Sequence, residues 1–205
     1  CILMFYGRYA PAQYVQGPVR PEVFDDSFDL VIIGPECFAG NIQPLIDHKD
    51  AVGVASFFKS TVHIYAEYTG FDEAEQIKFF IKDAIETHNV RFVLLMGGKV
   101  WQLNSWHVPV RYSQVDDGFD YSFCISDLYF ADIYDSEGNF SSWDTDGDGL
   151  YGEWFVDELD LVPDVYVGRL PCRNRFDVKI VVDKIISYET GTYGQSWFDT
   201  FVAIG

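Results

Sequence analysis

Short apolar runs alternating with amphipathic segments limit the folds open to this chain more than any other feature. Asp29-Leu-Val-Ile-Ile-Gly34 and Arg91-Phe-Val-Leu-Leu-Met-Gly97 hold only apolar residues between their ends. A run that is apolar at every position and too short for a helix reads as a strand buried on both faces. Val165-Tyr-Val-Gly-Arg-Leu170 reads as a third such strand, a further run lies near Val54–Phe58, and Thr200–Ile204 reads as a last one. Between them lie helical patterns. Asn41 to Val52 reads as a short helix. Asp72 is a fitting N-cap with Glu75 three residues on, Ile77, Phe80, Ile81, Ala84 and Ile85 share one face, and Asn89 is a stop. Asn174 caps a second strong helix, with Asp177 in its first turn and Val178, Val181, Val182 and Ile185 as the stripe. The alternation predicts an α/β fold: a mainly parallel sheet with helices on both faces.

Two segments stand outside that pattern. Residues 1–28, punctuated by Pro11, Pro18 and Pro21, read as an irregular lead-in, and residues 29–205 as the α/β subdomain. An acidic, aromatic-rich insertion interrupts the subdomain at about 112–164. The formal charge is −18, and its distribution is lopsided. From Tyr112 to Gly168 there are fifteen acids and no Lys, Arg or His, whereas the rest of the chain carries 17 acids against 14 bases. Such a surface excludes nucleic acid or an anionic membrane as partner, since either needs a basic footprint. No apolar run is long enough to span a membrane. The acidity, with abundant Tyr, Asn, Ser and Gly, points to a secreted or cell-surface protein. The start at Cys1 and the stop on a strand read as a mature, trimmed or fragmentary chain. Cys1, Cys37, Cys124 and Cys172 show no zinc-like grouping, and both free thiols and disulfides stay open for them.

The sharpest local signal is Asp144-Thr-Asp-Gly-Asp-Gly-Leu-Tyr-Gly-Glu153. Acids at alternate positions followed by Gly let three carboxylates converge while the chain turns, as in the first half of an EF-hand loop. The second half departs: Phe155 stands where the bidentate Glu belongs, with Glu153 two positions before it and Asp157 two after. The preferred reading is a shortened Ca²⁺ loop with Asp144, Asp146, Asp148 and Glu153 as ligands and the Leu150 carbonyl as a fifth. The other reading is an acidic turn held by Asx-turns without metal. Three Asp within five residues repel one another, which favours the cation. Ca²⁺ suits so many flexible carboxylates better than Mg²⁺.

Other constellations are poorer. Pairings such as Cys37 with His48 or His107 have no local support as nucleophile and base, and structural roles fit all four Cys and all four His, including His63 and His88. Met96-Gly-Gly-Lys99 lacks the earlier Gly of a phosphate loop and has Val100 where Ser or Thr is needed, which argues against nucleotide binding. The aromatic cluster Trp101, Trp106, Tyr112, Phe119, Tyr121, Phe123, Tyr129, Phe130 and Tyr134 reads as core and edge packing rather than a carbohydrate or peptide platform.

In order and spacing these blocks resemble the N-terminal part of the catalytic domain in the gingipain family of cysteine peptidases. The carriers are Asp29–Gly34, Pro44-Leu-Ile-Asp-His-Lys49 with Gly53, and Glu75-Gln-Ile-Lys-Phe-Phe-Ile-Lys-Asp83. Phe92-Val-Leu-Leu-Met-Gly97, Val108-Pro109, Ser126-Asp127-Leu-Tyr129 and Pro163-Asp-Val-Tyr-Val-Gly-Arg-Leu-Pro171 follow, and the helix runs on to Tyr188-Glu189. The similarity covers roughly residues 29–204. Two positions depart: the family tends to have Trp where His48 stands and Asp where Gly98 stands. The resemblance implies a caspase-like α/β architecture in two subdomains. The second carries the His–Cys dyad and the residues that select a protein or peptide substrate. No residue here matches that dyad, so no catalytic residue is assigned and the chain alone is expected to be inactive. The resemblance also implies stabilising calcium sites. The chain is therefore expected to be the non-catalytic N-terminal subdomain of a secreted, gingipain-like, calcium-stabilised cysteine endopeptidase, with its dyad beyond residue 205. The alternative is a non-enzymatic calcium-binding scaffold or adhesion module built on the same subdomain.

Overall fold

The computed structural model describes residues 27–100, 105–116, 121–153, 155–192, 194–197 and 200. The lead-in expected over 1–28 and the strand expected at Thr200–Ile204 fall almost wholly outside them, as do Cys1, Trp101 and Phe119. In chain order the elements are β1 (Leu30–Gly34), α1 (Ala39–Ala51), β2 (Ser56–Ser60), α2 (Thr61–Glu67) and α3 (Glu73–His88). They continue with β3 (Phe92–Met96), β4 (Tyr112–Asp116), β5 (Tyr121–Ile125), β6 (Tyr166–Leu170) and α4 (Arg175–Gly191), and single 3-10 turns form at Glu36–Phe38 and Asp127–Phe130.

Four strands make one parallel sheet in the order β2-β1-β3-β6. All five residues of β1 are buried, as an apolar run flanked by strands on both sides must be. Period-two alternation sorts them between two cores. Val31 and Ile33 face Ile77, Phe80, Ile81 and Ile85 of α3 and Ile64 of α2. Leu30 and Ile32 face Ile42 and Leu45 of α1 and Val178 and Val182 of α4. Helices thus cover both faces, and each fully buried Ile or Leu contributes about 1.5–3 kcal/mol.

The helix punctuation acts as its residues suggest. Asp72 Oδ1 accepts from the Glu75 amide at 2.9 Å, and Asn89 ends α3 in the left-handed conformation with φ 58°. Glu75 reaches back to the Phe71 amide, one residue before the usual capping-box partner. Asn174 Oδ1 accepts from the Phe176 and Asp177 amides at 2.9 and 3.0 Å.

Four features differ from the sequence reading. β2 begins at Ser56 because the Val54 amide is used in a turn to Lys49 and the register against β1 starts at Leu30–Ser56. α2 was not expected; it is only seven residues long, capped by Ser60, too short for a periodic signal. The antiparallel hairpin of β4 and β5 lies inside the insertion. β6, expected to be buried on both faces, is the sheet's edge among the described strands, and Tyr166 is 60% exposed. A run of apolar letters reports composition, not how many neighbours a strand acquires.

Candidate metal centre

The insertion has no base of its own, so the residues bracketing it carry the load. Arg169, at the end of β6, uses all five guanidinium N–H groups. Nε and Nη2 pair with Asp127 at 2.7 and 2.8 Å, Nη1 donates to the Gly97 and Val108 carbonyls, and Nη2 also donates to the Pro109 carbonyl. Arg111 pairs with both oxygens of Asp72 at 2.7 and 2.9 Å and stacks on Tyr151 at 3.7 Å and Tyr129 at 4.4 Å. Burial alone would raise the Asp72 carboxyl, but Arg111 and the helix amides hold it below its ordinary range. Tyr129 and Phe130, read as packing, are fully buried, and Tyr129 meets Trp143 and Tyr151 edge-on.

On this base the loop from Trp143 to Asp157 turns tightly. Gly147 and Gly149 adopt φ of 75° and 86°, which a side chain would strain, so the chain turns tightly between the acids. One oxygen each from Asp144, Asp146 and Asp157 lie within 4.8 Å of one another, and so do oxygens from Asp146, Asp148 and Glu153. Ca²⁺ holds its ligands at about 2.3–2.6 Å, so oxygens around one ion lie up to about 5 Å apart, and both groups fit. Buried Asp144 Oδ1 has no hydrogen-bond partner, in keeping with an oxygen left for a cation. The Glu153 carboxyl is pushed up by desolvation and then by Asp148, Asp157, Asp146 and Asp144.

Four of the five expected ligands therefore supply oxygens to these groups. For Leu150 the structure gives only its amide, which donates to Asp148 Oδ1 at 2.8 Å. Asp157 is the residue the sequence reading passed over, because it sits two positions past the EF-hand closing site. It is buried, and it accepts from the Thr145 amide at 2.6 Å and the Glu153 amide at 2.8 Å, tying the two ends of the loop together. Asx-turns also run through the loop, from the Asp148 amide to Asp146 and from the Leu150 amide to Asp148, and the Gly149 amide donates across the loop to Asp144.

Three of the four cysteines lie among the described residues. Cys37 and Cys124 are exposed, Cys172 is buried, and none of the three forms a disulfide. Burial, and then Asp177, pushes the Cys172 thiol up, the reverse of what a nucleophile needs. His107 contacts the Arg173 carbonyl through Nε2 at 3.0 Å, so that nitrogen carries the proton. His63 Nδ1 contacts the buried Ser60 hydroxyl at 2.9 Å inside the cap of α2.

The sequence profile of peptidase family C25 matches residues 24–205. The chain belongs to peptidase family C25. No curated protein sequence matches it. Among solved structures, latent PorU from Porphyromonas gingivalis is similar, with a TM-score of 0.54 and 18% identity over 78% of this chain and 15% of that one. The complex of the pro- and mature domains of Porphyromonas gingivalis RgpB is similar with a TM-score of 0.50 and 20% identity, over 78% of this chain and 29% of that one. These likenesses show the gingipain-like α/β fold, and this C25 chain spans under a third of either relative.

Both departures from the gingipain pattern have local explanations in this C25 chain. A Cβ at Gly98 would lie 2.3 Å from the Pro171 carbonyl oxygen, because the Gly98 amide donates to the Cys172 carbonyl at 2.9 Å. An Asp has no room there. His48 instead meets Glu189 of α4 at 2.8 Å beside the Lys49–Glu189 pair, a polar tie between α1 and α4.

Proposed function

We propose that this chain is the N-terminal, non-catalytic subdomain of a secreted cysteine endopeptidase, with Ca²⁺ bound in the loop Asp144–Asp157. The observation that carries the reading is the C25 match over residues 24–205. The environment of Cys172 supports the non-catalytic part. Parallel α/β sheets place reacting groups beyond the carboxyl ends of their strands. Here that edge carries Gly97, Gly98 and the buried Cys172, whose proton is held more tightly than usual.

Peptide hydrolysis by this family of enzymes needs a thiolate to attack the carbonyl and an imidazole to protonate the leaving amine, followed by water on the thioester. Those two groups are assigned to chain beyond residue 205, with the protein or peptide substrate bound there. In the loop, Asp144, Asp146, Asp148, Glu153 and Asp157 would hold the ion, which supplies positive charge to a stretch that has none. No helix among the described residues is long and apolar enough to cross a membrane.

Residues 1–205 and a longer product of the same reading frame, assayed side by side on a peptide library, test the catalytic assignment. Cleavage is expected from the longer product alone, blocked by thiol alkylation. Alkylation-sensitive cleavage by residues 1–205 would overturn it. For the metal, millimolar Ca²⁺ is expected to raise the melting temperature and Asp146→Ala to abolish the rise. An EDTA-treated sample that melts unchanged defeats that part.

A further inference from the structure

We propose that the outer edge of β5 is a docking site for an extended basic peptide segment, which joins the β4–β5 hairpin as a third strand. The hairpin pairs Tyr112 with Ile125, Ser113 with Cys124 and Gln114 with Phe123. The Ser126 amide donates to the Arg111 carbonyl at 3.0 Å, which sets the phase of the ladder. Hydrogen-bonded pairs alternate with non-bonded ones. Ser113 and Cys124 therefore exchange bonds, while the peptide groups of Tyr112, Gln114, Phe123 and Ile125 point away from the partner strand. The Gln114 amide agrees with that phase, since it donates outward to the Tyr151 carbonyl at 2.9 Å. On β4 the loop takes up that outward amide. On β5 the outward groups of Phe123 and Ile125 have no backbone partner among the described residues.

An open edge normally carries a defence against pairing: a charge, a proline or a bulge. Tyr121-Ser-Phe-Cys-Ile125 has no charge and no proline, and its register with β4 is unbroken. The side chains are open too. Phe123 is 58% exposed, Ile125 49% and Tyr112 opposite it 50%, and Cys124 on the other face is exposed as well. By strand alternation Tyr112, Phe123 and Ile125 share one face, an apolar strip beside the open edge. An added strand gains main-chain hydrogen bonds from such an edge and is selected through its alternate side chains. Here its apolar side chains lie beside Phe123 and Ile125. Charge selects the rest of the partner. From Tyr112 to Gly168 there are fifteen acids and no base, with Asp116, Asp117 and Asp120 close to β5 in sequence. That field attracts Lys and Arg and repels a second copy of the same acidic edge.

The test uses the full chain and two labelled, end-capped peptides, one alternating Lys with Val and the other alternating Glu with Val. Fluorescence anisotropy reads binding, and amide exchange at Phe123 and Ile125 reads docking at the edge. The Lys–Val peptide is expected to bind, more weakly in high salt, and to slow both amides on the order of tenfold. The Glu–Val peptide is expected not to bind. Phe123→Lys, at an exposed position outside the bonded pairs, is expected to weaken binding on the order of tenfold and leave the melting temperature unchanged. A Lys–Val peptide that fails to bind, or that binds and leaves both amides unchanged, overturns the proposal. Equal binding of the two peptides does so too. Protection of the two amides by protein concentration alone, with a dimer in sedimentation, assigns the edge to a second copy and likewise overturns it.

Discussion

The sheet half and the acidic insertion are built on different principles. Around the sheet, aliphatic side chains close two cores, and ion pairs such as Lys49–Glu189 and Lys179–Asp183 stay at the rim. In the insertion, large rings and buried polar groups share the interior. Every buried side-chain polar atom without a partner among the described residues lies between Arg111 and Asp144. The insertion also borrows its cations. Arg111 and Arg169 are the last base before and the first base after the stretch that lacks them, and Lys78 arrives from α3. An acidic segment can therefore fold against a sheet without bases of its own, provided its surroundings place cations where its rings and carboxylates converge.

The sharpest challenge to that division is a substitution in each half. Leu95→Ala, at a fully buried sheet position, should cost about 2–5 kcal/mol in urea unfolding and shift the signals of both halves together. Separate transitions would mean that the insertion folds independently. Arg169→Met should come next, at about 3–5 kcal/mol or somewhat less, since it strands half-buried Asp127 and three carbonyls. Arg169→Lys should recover only part of that, because one ammonium cannot fill five positions.

Ca²⁺ at about a hundred times its dissociation constant should add about 2.7 kcal/mol. Asp157→Asn should erase the gain as fully as Asp146→Ala does, and an undiminished melting shift in Asp157→Asn would remove Asp157 from the ligand set. A smaller effect concerns acid. The folded-state pKa of Asp72 is depressed, so the unfolded chain binds the proton more readily. Its contribution is full above the ordinary carboxylate range near about 3.9 and fades as pH falls through the lower folded value. Asp72→Asn should flatten that acid limb of the stability curve. Smallest is Glu189→Gln between α1 and α4, a partly exposed tie expected to matter by under about 1 kcal/mol and to vanish in high salt.

Much of the sheet half was legible because its signals are local. The β1 run, the Asp72 and Asn174 caps, the Asn89 stop and the stripe on α3 all follow from neighbours within a few residues. The candidate site was legible to the same extent. Asp144, Asp146, Asp148 and Glu153 are read from a spacing that allows convergence; the fold brings Asp146 together with Asp148 and Glu153 in one group, and with Asp144 and Asp157 in another. Asp157 was missed because its place depends on a chain reversal after Gly152, not on a spacing rule.

By itself, then, the sequence determined the α/β alternation, the location of most of the −18 charge, and a loop able to gather carboxylates. Tertiary structure alone decided that β6 is the edge among the described strands, that Asp157 ties the acidic loop together, and that Lys78, Arg111 and Arg169 serve the insertion. The division has a physical cause. Backbone periodicity and capping act over one or two turns of chain, and their residues can be read in a row. Charge compensation and strand order act across space, between residues such as Asp127 and Arg169 that only the folded chain brings together.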